Sequence, residues 1–377
     1  MAVDKREASP ADFTYSERTV IRCSTPEFSF LSTETTAEFD WKDYSPAVFR
    51  HIQAMDNINY DDYMLSVCGH ANLLGICSSP RPGTLHPVPH NDSFMICTLK
   101  KTEMKVLRGM LPNYYHHIKK FGASLLPKFY GLHLVRLHRG LKVYFVVVSN
   151  VLKSDQYIHF YYDLKGSLQG RRFNKLEIDQ KTLLKDVDLD LRFYLEPLIQ
   201  ARLLAQIKHD CEFLEAEGIM DYSLVLGIHV ETSYQGLANI QHSDAGTVSE
   251  DTENIELTMP DMCEPYTKPS FKIGVKLPAR AIRTPKETIS SRESVSVTQG
   301  MKMRSESYNV FLYFGIVDIL KNYGMGKRIE HVYKSLQYNS KMISAVNPRV
   351  YSSRSQEFLG SIFREDETRE LIILLQL

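Results

Sequence analysis

Two aspartates are placed to do chemistry. Asp221 stands in Ile219-Met220-Asp221-Tyr222-Ser223-Leu224-Val225-Leu226-Gly227-Ile228-His229, at the corner where a helical pattern gives way to an apolar strand. A carboxylate on a short loop between regular elements is fixed from both sides, as a catalytic group requires; an Asp ahead of a strand is also a common way to start a turn. Asp318 stands in the apolar run Val310-Phe311-Leu312-Tyr313-Phe314-Gly315-Ile316-Val317-Asp318-Ile319-Leu320. A charge in such a run is costly unless paired, protonated or bound to a cation, which makes Asp318 a candidate metal ligand. The third feature is basic: a strand-like Ile158 to Tyr162 feeds Asp163-Leu164-Lys165-Gly166-Ser167, with Arg171 and Arg172 close behind. Such a turn can wrap a phosphate with backbone N–H groups, a lysine charge and arginine forks; a solvated basic turn has the same composition. One Asp to orient a hydroxyl, one to hold Mg²⁺ and cations for phosphate charge are the parts of a phosphoryl-transfer site. No His-Arg-Asp and no Asp-Phe-Gly triplet occurs, so a protein kinase is a poor match.

The elements that must position these groups are legible in outline. Ile199, Leu203, Ile207, Cys211 and Leu214 recur at three- and four-residue intervals, one buried stripe of a helix, and Gly218 can take the positive φ that stops it. Leu224 to Val230 is β-branched and apolar, a buried strand. Upstream, Phe94–Leu99 reads as a strand, Glu103–Ile118 as a helix, and Leu132–Val135 and Leu141–Ser149 as strands about a turn at Arg139-Gly140. That order suits a small α+β lobe. Cys77 to Pro89 is a proline-rich loop. We divide the chain into a disordered leader at 1–36, an N-terminal lobe at 37–152 and a C-terminal part at 153–377. The last carries mobile polar insertions at 231–269 and 284–307. Phe271–Val275 reads as a strand, Lys327–Leu336 as a helix and Asn347 to Arg354 as a loop ahead of a final helix from about Gln356.

Composition bounds the class. The chain has 377 residues, 43% hydrophobic and 24% charged, with 45 Lys and Arg against 45 Asp and Glu, so nothing global points to nucleic acid. An anionic partner must therefore meet a local basic patch. Six cysteines lie scattered without metal-ligand spacing, which fits reduced cytosolic thiols. The N-terminus opens charged, and no run approaches a membrane span, leaving a peripheral membrane role at most.

Several blocks then resemble the phosphatidylinositol phosphate kinase family, most closely its plant phosphatidylinositol 4-phosphate 5-kinases in a short form without the N-terminal repeats. They are Trp41-Lys42-Asp43-Tyr44, Asp62 to Gly69, Lys105-Val106-Leu107, Met110 to Tyr115, Phe129 to His133, Tyr162 to Ser167, Asp210 to Glu215, Ile219 to His229, Phe314 to Leu320, Ser344 to Pro348 and Tyr351-Ser352, over roughly residues 38 to 364. The resemblance implies an α+β, two-lobed fold distantly like protein kinases, with antiparallel sheets and packed helices. It implies ATP and Mg²⁺, and phosphatidylinositol 4-phosphate in an anionic membrane as the substrate phosphorylated on its 5-hydroxyl. It further implies a cytoplasmic protein held peripherally at the plasma membrane, compatible with homo- or hetero-oligomers. By residue match, Asp221 resembles the catalytic-loop aspartate, Asp318 the metal-holding aspartate, and Lys165 with Arg171 and Arg172 the cations facing lipid phosphate. Asn150 falls where the lobes join beside the adenine. Arg349, Ser353 and Arg354 fall in the loop that reads the headgroup, Ser353 at the position that tracks 5- versus 4-hydroxyl choice.

The departures sit at the nucleotide end. The family's strand lysine is Cys97 here, in Met95-Ile96-Cys97-Thr98. Lys100 faces the other side if the strand continues, and Lys101 lies about 13 Å along it at about 3.3 Å per residue. Of the glycine-rich phosphate loop only Gly83-Thr84 survives, among Pro82, Pro87 and Pro89. Losing a clamping cation costs about 3–4 kcal/mol by analogy with a preorganised donor. The sequence thus supports a 5-kinase of reduced activity, or else an impaired relative that binds phosphoinositide or acts as a scaffold.

Overall fold

The computed structural model describes residues 7–23, 37–68, 76, 81–87, 93–137, 142–167, 183–231, 276–284, 307–321 and 347–367. Arg171, Arg172, the Phe271–Val275 strand, the Lys327–Leu336 helix and nearly all of both polar insertions lie outside the described residues.

Two sheets carry the molecule, with helices packed on them. The first is built from β1 (Ser16–Cys23), β2 (Ala37–Tyr44), β3 (Leu85–Pro87), β4 (Phe94–Leu99), β5 (Phe129–Leu137) and β6 (Lys142–Ser149), antiparallel throughout in the order β1-β2-β5-β6-β4-β3. β1 corrects the sequence reading: a strand pairs with β2 along its whole length inside the stretch expected to be a disordered leader. It lies at a sheet edge with Val20 exposed and mostly polar residues around it, so it lacks the apolar signal of a buried strand. Three helices accompany this sheet: α1 (Pro46–Met55), α2 (Tyr60–Cys68) and α3 (Lys101–Lys120). α3 buries Met104, Leu107, Leu111, Tyr114 and Ile118, one face at helical spacing, and places His117, Lys119 and Lys120 in its last turn, where they oppose the helix dipole favourably.

The second sheet comprises β7 (Phe160–Leu164), β8 (Leu183–Lys185), β9 (Leu191–Leu195), β10 (Ser223–Val230), β11 (Leu277–Arg283), β12 (Ser307–Val317) and β13 (Phe363–Glu365), ordered β13-β9-β11-β12-β10-β7-β8. Its central pairs are antiparallel; β13 with β9 and β8 with β7 are parallel. α4 (Pro197–Ala216) and α5 (Pro348–Ile362) pack on each other. This mixed, mainly antiparallel α+β architecture is the class expected from the sequence.

The helix start at residue 348 overturns the loop reading for Asn347 to Arg354. Asn347 caps α5, its side-chain oxygen accepting the Arg349 N–H at 2.9 Å, and Pro348 occupies the first turn, where its missing N–H costs nothing. Arg349, Ser353 and Arg354 are therefore helical.

The two sheets are latched rather than loosely tethered. The Ile316 N–H of β12 donates to the Leu125 carbonyl, 2.8 Å away, in the segment between α3 and β5. A Cβ on the neighbouring Gly315 would meet Val151 Cβ at 2.7 Å, so glycine is what lets β12 approach the linker after β6. Buried Asp210 on α4 completes the junction. It accepts from His117 Nε2 (2.6 Å), Ser124 Oγ (2.8 Å), the Leu125 N–H (2.8 Å) and Gln206 Nε2 (2.9 Å).

Candidate active site

Asp221 and Asp318 are brought together by strand pairing. β10 and β12 run antiparallel with Ser223 opposite Val317, so Asp221, two residues before β10, and Asp318, one residue after β12, lie at the same end of the sheet. A hydrogen bond from the Met220 N–H to the Lys321 carbonyl (3.1 Å) ties the two corners. α4 delivers Asp221 by a glycine stop. Gly218 adopts φ +67°, its N–H donates to the Glu215 carbonyl (2.9 Å), and the Ile219 N–H reaches back to Leu214 (2.8 Å).

Both aspartates are left-handed, at φ +65° and +64°; the other positive-φ residues besides glycine among those described are Ser45 and Asn57. Asp tolerates this region better than most residues, yet it remains a strained choice of the kind held at functional corners. Asp318 also corrects the sequence argument. It is not inside the buried run but one residue past its end, with its side chain 49% exposed and bonded by Lys321 Nζ at 2.7 Å.

Lys165 joins the pair. Its ammonium donates to the Asp221 carbonyl (2.7 Å) and carboxylate (2.9 Å), with both side chains largely buried. The turn around it differs from the expected phosphate cradle. The Lys165 and Gly166 N–H groups both donate to one oxygen of buried Asp186, at 2.8 and 2.6 Å, because that carboxylate needs donors of its own. Gly166, at φ +68°, lies against α5: a Cβ there would meet Phe358 Cβ at 3.0 Å and the Arg354 carbonyl at 3.3 Å. α5 closes the site from that side. The Tyr351 hydroxyl donates to the Tyr222 carbonyl, the two rings meet edge to face at 4.7 Å, and the Arg354 guanidinium lies 5.0 Å over the Tyr351 ring. Burial lowers the pKa of Arg354, while Tyr351, Asp186, Tyr222 and Asp221 oppose that shift electrostatically. Ser353 and Arg349 are exposed on α5.

At the nucleotide end, Cys97 lies half-buried on β4. Burial pushes its thiol up to about 11, helped by the negative charges of Glu103 and Asp318. β4 ends at Leu99 and α3 begins at Lys101, so neither Lys100 nor Lys101 continues the strand face. Glu103 accepts the Lys100 N–H at 2.8 Å. Gly83 is at φ +85°, and its N–H donates to the Thr98 carbonyl (2.6 Å), while the Thr84 N–H goes to Thr98 Oγ1 (3.0 Å). Asn150 holds the linker, its N–H on Ser93 and its side chain accepting from the Leu152 N–H. It also lines a cavity of about 240 Å³ between the linker, Leu125 and Phe314; none of Cys97, Asp221 or Asp318 lines that cavity.

Two groups escaped the sequence reading. Lys321 lies three residues after Asp318, a spacing that pairs side chains across one turn. Burial works to lower its pKa, but the hydrogen bond and charge of Asp318, with the charges of Asp221 and Glu103, leave it raised. Glu103 was visible as the acid three residues into a helix that follows Lys100.

Comparison with known proteins follows the same lines. The family model for phosphatidylinositol-4-phosphate 5-kinase matches residues 67–362. The chain belongs to that family. It is 38% identical to phosphatidylinositol 4-phosphate 5-kinase 10 of Arabidopsis thaliana over 96% of this chain and 98% of that one. It is 41% identical to phosphatidylinositol 4-phosphate 5-kinase 5 of the same plant over 88% of this chain, spanning 44% of that longer protein. As a member of the phosphatidylinositol phosphate kinases it is a transferase of the kinase class. No helix among the described residues is long and apolar enough to cross a membrane.

Proposed function

We propose that this kinase transfers the γ-phosphoryl group of ATP to the 5-hydroxyl of phosphatidylinositol 4-phosphate at an anionic membrane face, giving the 4,5-bisphosphate. The observation that carries the reading is the convergence of Asp221 and Asp318 at one end of β10 and β12, with Lys165 holding Asp221. Asp221 orients the lipid hydroxyl and accepts its proton as oxygen attacks phosphorus and ADP departs. Lys165, bonded to its carbonyl and its carboxylate, keeps that side chain aimed. Asp318 is the residue for Mg²⁺. Among the described residues no group of three or more His, Cys, Asp or Glu could cage a metal, and Mg²⁺ in such sites takes one or two carboxylates and completes its shell with phosphate and water. Bound there, Mg²⁺ would neutralise charge developing on the transferred phosphate.

Arg349, Ser353 and Arg354 on α5, beside the Lys165-Gly166 turn, are the groups on the lipid side, and Arg171 and Arg172 follow that turn in sequence. A cation near an anionic surface contributes about 1 kcal/mol, which suits Arg349 to peripheral attachment at the plasma membrane.

A second reading, a family member that binds phosphoinositide without turnover, is favoured by Cys97 and by the engaged Gly83 and Thr84 N–H groups. One assay separates them. Purified protein is incubated with γ-labelled ATP and vesicles containing phosphatidylinositol 4-phosphate, and the product is resolved by headgroup chromatography. Label at the 5-position supports the kinase. Vesicle binding without label supports the binding-only reading.

A further inference from the structure

A kinase site ordinarily sets a strand lysine against a glutamate at the helix that follows, with the lysine on the nucleotide's phosphates. Here the strand residue is Cys97, a neutral thiol at ordinary pH. We propose that Lys321 supplies the missing phosphate cation from its place on Asp318 rather than from the strand; the inference rests on the nucleotide-binding reading above.

The placement argues for it in three ways. Lys321 is bonded to Asp318 at 2.7 Å, and Asp221 and Glu103 are the next charges that bear on it. Glu103 and Asp318 are also the two carboxylates whose charges act on Cys97. Second, its backbone is pinned while its head rests on a half-exposed carboxylate. The Lys321 carbonyl accepts the Met220 N–H, yet the side chain is 40% exposed on a stem of four methylenes. Such a lysine binds phosphate as a mobile point charge. Third, Lys165, the cation on the other aspartate, is committed there, because it spends two donors on Asp221. A divalent ion taking the Asp318 carboxylate would compete directly with the Lys321 ammonium. The released cation then has phosphate oxygens within the same space as its new partner.

The test reads nucleotide binding, not turnover. ATP with Mg²⁺ is titrated calorimetrically into the full chain as wild type, Lys321→Gln, Cys97→Lys and the double variant, each checked for an unchanged melting curve. Lys321→Gln should weaken binding at least tenfold, and adding Cys97→Lys should recover most of it, which a purely structural lysine would not allow. On wild-type protein, ATP with Mg²⁺ should protect Lys321 from acetylation read by mass spectrometry, so the answer does not depend on a variant folding. Equal ATP affinity in Lys321→Gln, or acetylation of Lys321 unaffected by ATP, overturns the assignment while leaving the kinase reading intact. Wild type that binds no ATP overturns the nucleotide reading and this assignment with it.

Discussion

Lys165 grips Asp221 at two points, the backbone carbonyl at 2.7 Å and the carboxylate at 2.9 Å, so one ammonium fixes both the corner and its acid. Lys165→Met should therefore lower kcat about 100-fold or more, the scale of general-base catalysis, with a smaller change in KM for the lipid. Steady-state kinetics on mixed vesicles measures the split. A rise in lipid KM at constant kcat would move Lys165 from the acid to the headgroup.

Asp318 gives a cleaner substitution. Asn also tolerates the left-handed conformation, and the side chain is half exposed, so Asp318→Asn should change stability by about 0.5 kcal/mol or less. It should nevertheless abolish phosphate transfer from ATP. Asp318→Ala adds backbone strain of about 1 kcal/mol at the same φ. Urea melts and the vesicle assay, run on both variants, distinguish lost chemistry from lost fold. Full activity in Asp318→Asn would discard the metal assignment.

Asp210 bears on stability. Four donors from α3, α4 and the segment between α3 and β5 converge on this buried carboxylate. Asp210→Ala strands all four and should cost about 3–5 kcal/mol in denaturant unfolding, the range for breaking buried charged pairs. A loss under about 1 kcal/mol would mean water replaces the carboxylate without penalty.

Cys97 and Cys211 set an alkaline limit. Burial raises their thiols to about 11 and about 12 from an ordinary value near 9. A thiol harder to ionise in the folded state favours folding fully below pH 9, and that contribution fades as pH climbs through 9 towards 11 and 12. Chemical denaturation at stepped pH should show the decline beginning near pH 9. Alkylation of native Cys97 at pH 8 should likewise be slower than that of an unfolded control.

Much of this site was legible because periodicity and corner residues carry local information. The stripe from Ile199 to Leu214, the stop at Gly218 and the apolar strand from Leu224 are all local signals, and they deliver Asp221 where the sequence placed it. The register that sets Ser223 against Val317 depends on pairing across a long separation, which no local pattern encodes. Asp186 illustrates the limit. Nothing in its own neighbourhood announces that it will occupy the N–H groups of a turn twenty residues earlier. The loop assigned to Asn347–Arg354 had a local remedy, since Asn-Pro at a helix entrance is a capping signal that the following arginines and serines obscured. β1 had none, because its stability comes from the strand beside it.

The hydrogen bond from Ile316 to Leu125, with Gly315 seated under Val151, acts as a rivet two residues before Asp318. Through it the segment before β5 and the linker after β6 bear directly on β12, the strand that ends just before Asp318. Turnover in this chain should accordingly be sensitive to Gly315→Ala, whose added methyl would press on Val151.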